Sequence, residues 1–232
     1  MVCMLVCTLM ASAQVTLNID AAKRGAKIGE RHYGIFFEEI NHAGDGGLYA
    51  ELISNRSFED NVSNPDNWEA VGSRTNIELH TDGLLNEAQH NALAINISSP
   101  LIRGGVRNKG YWGINIVNDR TYKLSFWAKS EEGFSDTLTA ALETEDGTSL
   151  GQTTINVALG EEWQQITAEI TATGDDPQGW FSLTTTQNGK FIIDMVSLFP
   201  PTWTRKDSSA RKSPSPAIRT APTVAALTWQ KS

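Results

Sequence analysis

The chain has 232 residues, 40% hydrophobic and 20% charged, an ordinary globular balance that excludes disorder as the default state. That length holds one large domain or two small ones. With 27 acidic against 19 basic side chains, a formal charge of −8, it lacks the concentrated basic surface that nucleic acid or an anionic membrane requires, whereas a neutral sugar remains a compatible partner.

Residues 1–13 read as a secretory signal, because residues 2–10 are nearly all apolar and Ala11-Ser12-Ala13 forms a small-residue cleavage pattern before Gln14. The expected localisation is therefore secreted, extracellular or periplasmic. The charged segment that usually precedes such a run is missing, which leaves room for a start upstream, and the alternative is a buried N-terminal strand or helix. Cys3 and Cys7 both lie inside this segment, so its removal leaves no disulfide and no thiolate, and excludes cysteine catalysis and cysteine-based zinc sites. No other run approaches the ~18 apolar residues of a membrane helix.

Val15, Leu17 and Ile19 alternate with polar residues, the period of a half-buried strand. Tyr33, Ile35, Phe36 and Phe37 form a second apolar strand, and Glu38 and Glu39 stand where it ends, a place where carboxylates usually face a cleft. A loop with Gly44, Gly46 and Gly47 follows, then a helical-looking segment over residues 48–53, then Asn55-Arg56-Ser57-Phe58-Glu59-Asp60.

Residues 33–60 closely resemble the opening of family 51 glycoside hydrolases, the α-L-arabinofuranosidases. The resemblance implies that residues 33–37 are the first strand of a (β/α)8 barrel, a fold whose active sites lie at the C-terminal strand ends and whose complete form needs roughly 250 residues. A whole enzyme of that kind does not fit in this chain. In the resembling family the strand-end glutamate, here Glu38, helps bind the arabinofuranosyl unit; a capping or salt-bridging carboxylate is the plainer alternative. Retaining hydrolysis needs two carboxyl groups ~5 Å apart, and side chains adjacent on a strand point to opposite faces, so Glu38 and Glu39 are not that pair. The family places its acid/base and nucleophile on later barrel strands, which implies that no catalytic residue is present here and no cofactor is required for catalysis. Asn86-Glu87 mimics the dipeptide around the family's acid/base, but it falls in the all-β region and is read as coincidence.

Beyond Asp60 the pattern becomes all-β. Tyr122, Leu124, Phe126 and Ala128 share one face of residues 122–129, and Ile166, Ala168, Ile170 and Ala172 share one face of residues 165–172. Leu93, Ile95 and Ile97, then Leu138, Ala140 and Leu142, then Phe181 and Leu183 give three more strands, and residues 191–199 close the set, apolar on both faces. Short strands at this spacing, without helical periods between them, predict a jelly-roll β-sandwich over residues 57–200. The expected organisation is thus a signal (1–13), an N-terminal strand with the first barrel strand and loop (14–56), the sandwich, and an irregular basic tail (201–232).

The sandwich resembles carbohydrate-binding modules of the family 4, 9 and 22 type, on the order of residues 54–60, Tyr111-Trp112-Gly113-Ile114, the strand 122–129, Trp163 and Ile193-Asp194-Met195-Val196-Ser197-Leu198. Sugar rings stack on exposed aromatic faces. Trp127 lies opposite the Tyr122, Leu124 and Phe126 face and so points outward, Trp112 before Gly113 reads as either platform or packing, and Trp163 reads as structural. For each tryptophan, packing is the commoner role. Such modules often hold a structural calcium between their first and last strands, and Glu59 and Asp194 are carboxylates at the matching places, although calcium needs six to eight oxygens. The four histidines show no metal spacing, and the three glycosylation sequons receive no role.

Residues 202–232 carry Arg205, Lys206, Arg211, Lys212, Arg219 and Lys231 against Asp207 alone, with scattered prolines and no period. A frameshift or premature gene end is the favoured reading, with a Ser/Pro linker as the alternative. Two functions stay open: a fragment of a hydrolase acting on non-reducing-end arabinofuranosyl units of arabinan or arabinoxylan, and a non-catalytic secreted sugar-binding module, either with plant cell-wall polysaccharide as partner. Translation of the other reading frames downstream of Trp203 is expected to recover barrel sequence; frames that encode none would remove the frameshift reading.

Overall fold

The computed structural model describes residues 25, 36, 38, 40–98 and 103–201. The chain divides into two compact units, Met1–Phe37 and Glu38–Ser232, and the architecture below is that of the second. The expected signal, the N-terminal strand, most of the expected first barrel strand and the basic tail lie outside the described residues.

Among the described residues eleven strands follow in order: β1 Trp68–Val71, β2 Thr75–His80, β3 Ala92–Ile97, β4 Gly104–Asn108, β5 Ile114–Ile116, β6 Thr121–Lys129, β7 Phe134–Glu143, β8 Ser149–Leu159, β9 Gln164–Thr171, β10 Asp176–Thr185 and β11 Gly189–Phe199. They form two antiparallel sheets, one in the order β1-β4-β10-β7-β8 with β5 beside β10, the other β2-β3-β11-β6-β9. This is the jelly-roll sandwich that the alternation predicts, with no helix among the described residues.

Period-two patterning decides which side chains meet between the sheets. On β6, Tyr122, Leu124, Phe126 and Ala128 are all buried in the core, while Lys123, Ser125 and Trp127 take the outer face. On β11, Phe191 and Ile193 enter the core, and Ile192 joins Ala92, Ala94, Leu84 and Trp163 in a small apolar cluster on the outer face. That cluster explains why this strand is apolar on both sides. Pairing of β11 with β6 then slips between Asp194 and Ser197, where Met195 has a φ of 48°. The bulge resets the alternation by one residue, so Val196 and Leu198 also point into the core rather than away from it.

The segment 48–53, helical in appearance, is not a helix. The amides of Leu48 and Tyr49 close a turn onto the carbonyls of Ala43 and Gly44, and Leu52 then donates to the carbonyl of Leu198 3.0 Å away. The cause is Glu51. Its buried carboxylate accepts from the amides of Ile53 at 3.0 Å and Leu198 at 2.8 Å and from the Ser197 hydroxyl at 2.6 Å, with Arg56 Nε 3.8 Å away. A carboxylate held this way outweighs local helix propensity, since leaving those donors unpaired in a dry site costs ~1–3 kcal/mol each. The segment that leads into the sandwich and the strand that leaves it are latched side by side.

Glu51→Ala is therefore expected to cost roughly 3–5 kcal/mol and to lower the Tm by about 10 °C. A calorimetric shift under about 2 °C would show that the latch is dispensable.

Candidate functional site

Glu38 lies on the exposed segment that leads to a glycine-rich turn. Asn41 and His42 both adopt left-handed backbone, at φ 53° and 56°, an uncommon conformation for residues with a Cβ and one often kept where geometry serves a site. The turn exists to admit an aromatic ring: a Cβ at Gly46, whose φ is 80°, would sit 2.5 Å from the ring of Tyr111. Tyr111 and Trp112 belong to the loop between β4 and β5. The His42 ring lies 4.7 Å from Tyr111 and 5.4 Å from Trp112, and Tyr111 lies 6.1 Å from Trp112. Burial, with the hydrogen bond to Asp45 and its charge, pushes the Tyr111 phenol well above its usual range, so it remains a neutral donor. Trp112 keeps 55% of its surface exposed, a supported aromatic shelf with one side open.

Trp127 is placed differently. It is half-buried on the outer face of β6, opposite Asp194 of β11 and Gln165 of β9. The structure thus brings Trp112 together with His42, four residues after Glu38, but puts Trp127 on the other sheet. His42, Tyr111 and Asp45 were not singled out as site residues in the sequence. Their signal was faint: two glycines at Gly46 and Gly47, and the aromatic pair Tyr111-Trp112.

The other tryptophans have structural partners. Trp163 donates from Nε1 to the Gly83 carbonyl at 2.9 Å, which also receives Lys129 Nζ at 2.9 Å, and so pins a strap, residues 81–91, over the outer face of β3 and β11. Trp68 is buried and donates to the Asn55 carbonyl at 2.9 Å. Trp180 is buried beneath the Arg107 guanidinium, 4.3 Å from the ring centre. Arg107 is itself paired with Glu69 at 2.7 Å, and Arg103 makes a fork-like pair with Glu143. These ion pairs occupy the outer face of the six-stranded sheet.

Glu59 and Asp194 meet beneath the far end of the strap. Glu59 accepts from the amides of His90 at 2.7 Å and Asn91 at 3.0 Å; burial pushes its carboxyl up, and these bonds together with His90 outweigh that and hold it below the usual range. Asp194 is fully buried. Burial raises its carboxyl to about 7 despite the 2.6 Å bond from the Met195 amide, and the Glu59 charge adds to the rise. Its Oδ2 makes no well-formed hydrogen bond, although the Gln89 side-chain amide interacts with the carboxyl and lowers it. A buried carboxylate oxygen so weakly held, in the field of a second carboxylate, fits a hard cation. Among the described residues no three His, Cys, Asp or Glu side chains group as a metal site, so the remaining oxygens would come from carbonyls and amides.

A family model described as a carbohydrate binding domain matches residues 50–190. The chain is 37% identical over 200 residues to α-L-arabinofuranosidase 1 of Arabidopsis thaliana, covering 80% of this chain and 29% of that protein. It is also 37% identical over 203 residues to the extracellular exo-α-L-arabinofuranosidase of Streptomyces chartreusis, covering 85% of this chain and 23% of the relative. Among solved structures, an arabinose-bound family 51 α-L-arabinofuranosidase superposes with a TM-score of 0.67 at 32% identity, over 74% of this chain and 30% of that one. The chain thus spans under a third of the length of these relatives.

The Asp194 carboxyl fixes a pH dependence. Because the folded chain holds this proton more tightly than the unfolded chain, stability is fully present below a pH of about 4 and is lost as the pH climbs towards about 7. In metal-free buffer, Asp194→Asn is expected to gain in Tm relative to the unsubstituted chain as the pH rises from 4 to 7. Parallel Tm profiles would contradict this.

Proposed function

We propose, since the chain belongs to the carbohydrate-binding domain family, that it is the front portion of a secreted α-L-arabinofuranosidase that releases non-reducing-end arabinofuranosyl units from arabinan or arabinoxylan. One observation carries the reading: identity to proteins named arabinofuranosidases runs over 200 residues, beyond the bounds of the sandwich match. Secretion rests on the signal-like residues 1–13 and on a relative named as extracellular.

The described residues support binding rather than bond cleavage. Retaining hydrolysis takes two carboxyl groups about 5 Å apart, facing one glycosidic oxygen. The buried carboxylates are otherwise engaged, Glu51 with amides and a hydroxyl, Glu143 with Arg103, and Asp194 with the Met195 amide. Glu38 is read as a hydrogen-bonding contact to the arabinofuranosyl unit, and Trp112 as a stacking surface near it. Trp127 is read as a stacking surface of the sandwich itself. A structural calcium on Glu59 and Asp194 belongs to the same reading; it would neutralise the two carboxylates and tie the strap's end to β11.

The purified 232-residue chain is expected to bind arabinan or arabinoxylan in affinity gels and to show no turnover of an aryl arabinofuranoside. Trp127→Ala should weaken that binding by about tenfold, the loss of roughly 1.4 kcal/mol of stacking. Turnover by the homogeneous chain would overturn the division of labour, and absence of any binding would overturn the module. Calcium should raise the Tm at pH 7 and a chelator reverse it, with no calcium response in Asp194→Asn; a calcium response that survives this substitution would place the ion elsewhere.

A further inference from the structure

The chain carries three Asn-x-Ser triplets, Asn55-Arg56-Ser57, Asn61-Val62-Ser63 and Asn96-Ile97-Ser98, each a formal acceptor for an N-linked glycan. As bare triplets they rank equally. An acceptor has to stand on a surface loop, offer its side-chain amide to a bulky donor, and leave the fold intact once the sugar is attached. The three sites differ on each count.

Asn55 is closed. It is only 6% exposed, its Nδ2 donates to the Asp66 carbonyl at 2.8 Å, its Oδ1 accepts from the Asp60 amide at 3.2 Å, and its own carbonyl takes the Trp68 indole at 2.9 Å. These bonds shut the loop that leads into β1, and a sugar on Nδ2 would force it open. Asn96 is exposed but locked in the ladder, on β3 between Asn76 of β2 and Lys190 of β11. The next residue, Ile97, is in the core, and the Ser98 hydroxyl is engaged with the Arg74 carbonyl at 3.2 Å. Presenting that triplet means peeling β3 from both neighbours.

Asn61 meets neither obstacle. It opens the irregular stretch between Asp60 and β1, in which Val62, Ser63 and Asn64 are all exposed. Its Oδ1 accepts from the Ser63 amide at 2.9 Å, a local turn that holds the asparagine and the serine together at the surface. Its Nδ2 donates to Asp66 Oδ2 at 3.0 Å, also at the surface. A primary amide has two N–H donors and loses one on glycosylation, so the bond to Asp66 survives the modification.

We propose that Asn61 is the N-glycosylation site of this protein and that Asn55 and Asn96 stay bare. The proposal rests on the secreted reading above, because the donor is an oligosaccharide carried on a lipid pyrophosphate in the secretory membrane. In the transfer, Nδ2 bonds to the anomeric carbon of the first sugar while the bond from that carbon to the pyrophosphate oxygen breaks. The lipid pyrophosphate leaves with the electron pair, and Nδ2 gives up one proton. The glycan then projects from the loop before β1 and covers Val62, which at 87% is the most exposed large apolar side chain among the described residues.

The test expresses the full 232-residue chain in a eukaryotic secretory host, once as it stands and once with a host leader fused ahead of it. Occupancy is mapped by mass spectrometry after enzymatic deglycosylation in heavy-oxygen water, which turns an occupied asparagine into labelled aspartate. Medium and membrane fractions are both scored, so a retained chain is still read. Label is expected at Asn61 and at neither Asn55 nor Asn96. Ser63→Ala keeps both Asn61 hydrogen bonds and should abolish the glycan, with the Tm of the deglycosylated chain unchanged within about 2 °C; Ser57→Ala and Ser98→Ala should leave occupancy as it was. Label at Asn55 or Asn96 with Asn61 bare, or a glycan that persists in Ser63→Ala, overturns the site. A chain carried into the secretory membrane by the host leader and found without glycan overturns the proposal outright. Entry with the host leader but not without it removes only the reading of residues 1–13 as a signal.

Discussion

The fold depends on one buried carboxylate. Glu51 collects two amides and a hydroxyl from both ends of the sandwich. Without it the Ile53 amide of the incoming segment and the Leu198 amide and Ser197 hydroxyl of β11 would be left as unsatisfied donors. Such a group is costly to bury alone and favourable when its donors are aimed at it. It also fixes Arg56 beside it, and Tyr49, two residues before it, packs against Phe199. The latch and the Tyr49–Phe199 ring contact thus stand side by side where the incoming segment meets β11.

The two sheets use their outer faces in opposite ways. On the six-stranded sheet, Arg103 with Glu143 and Arg107 with Glu69 and Trp180 close the surface on itself. On the five-stranded sheet, a strap fixed at the Gly83 carbonyl and at Glu59 covers one half and leaves the other open. Charge pairing and apolar packing thus close one outer face and part of the other, and the remainder of the five-stranded sheet's outer face carries hydroxyls, the Lys123–Glu169 pair and aromatic edges.

Much of the sandwich was legible because its strands follow a strict period of two. Tyr122, Leu124, Phe126 and Ala128 revealed both the core face of β6 and the outward direction of Trp127. β11 read as apolar on both sides because a strap covers its back. Five strands carried no such signal: β1 and β5 are short, β2 exposes alternate polar residues at an edge, β4 opens with Gly104-Gly105, and β8 is a threonine-rich edge strand. The run 48–53 misled because helix periodicity is local, whereas the bonds from Glu51 join residues about 147 positions apart. The aromatic cluster of His42, Tyr111 and Trp112 is long-range in the same sense, and only the bare Gly46 hinted that a ring needed its space.

Met195 shows how little slack the last strand has. Its left-handed backbone is the point at which the strand changes phase, after Ile193 and Asp194 and before Val196 and Leu198. Flattening this one bulge into regular strand, with every residue kept, would turn the terminal half of the strand over, present two aliphatic side chains to water and drive Ser197 into the hydrocarbon interior. Replacements at this position are therefore confined to residues that tolerate left-handed backbone, glycine and asparagine first.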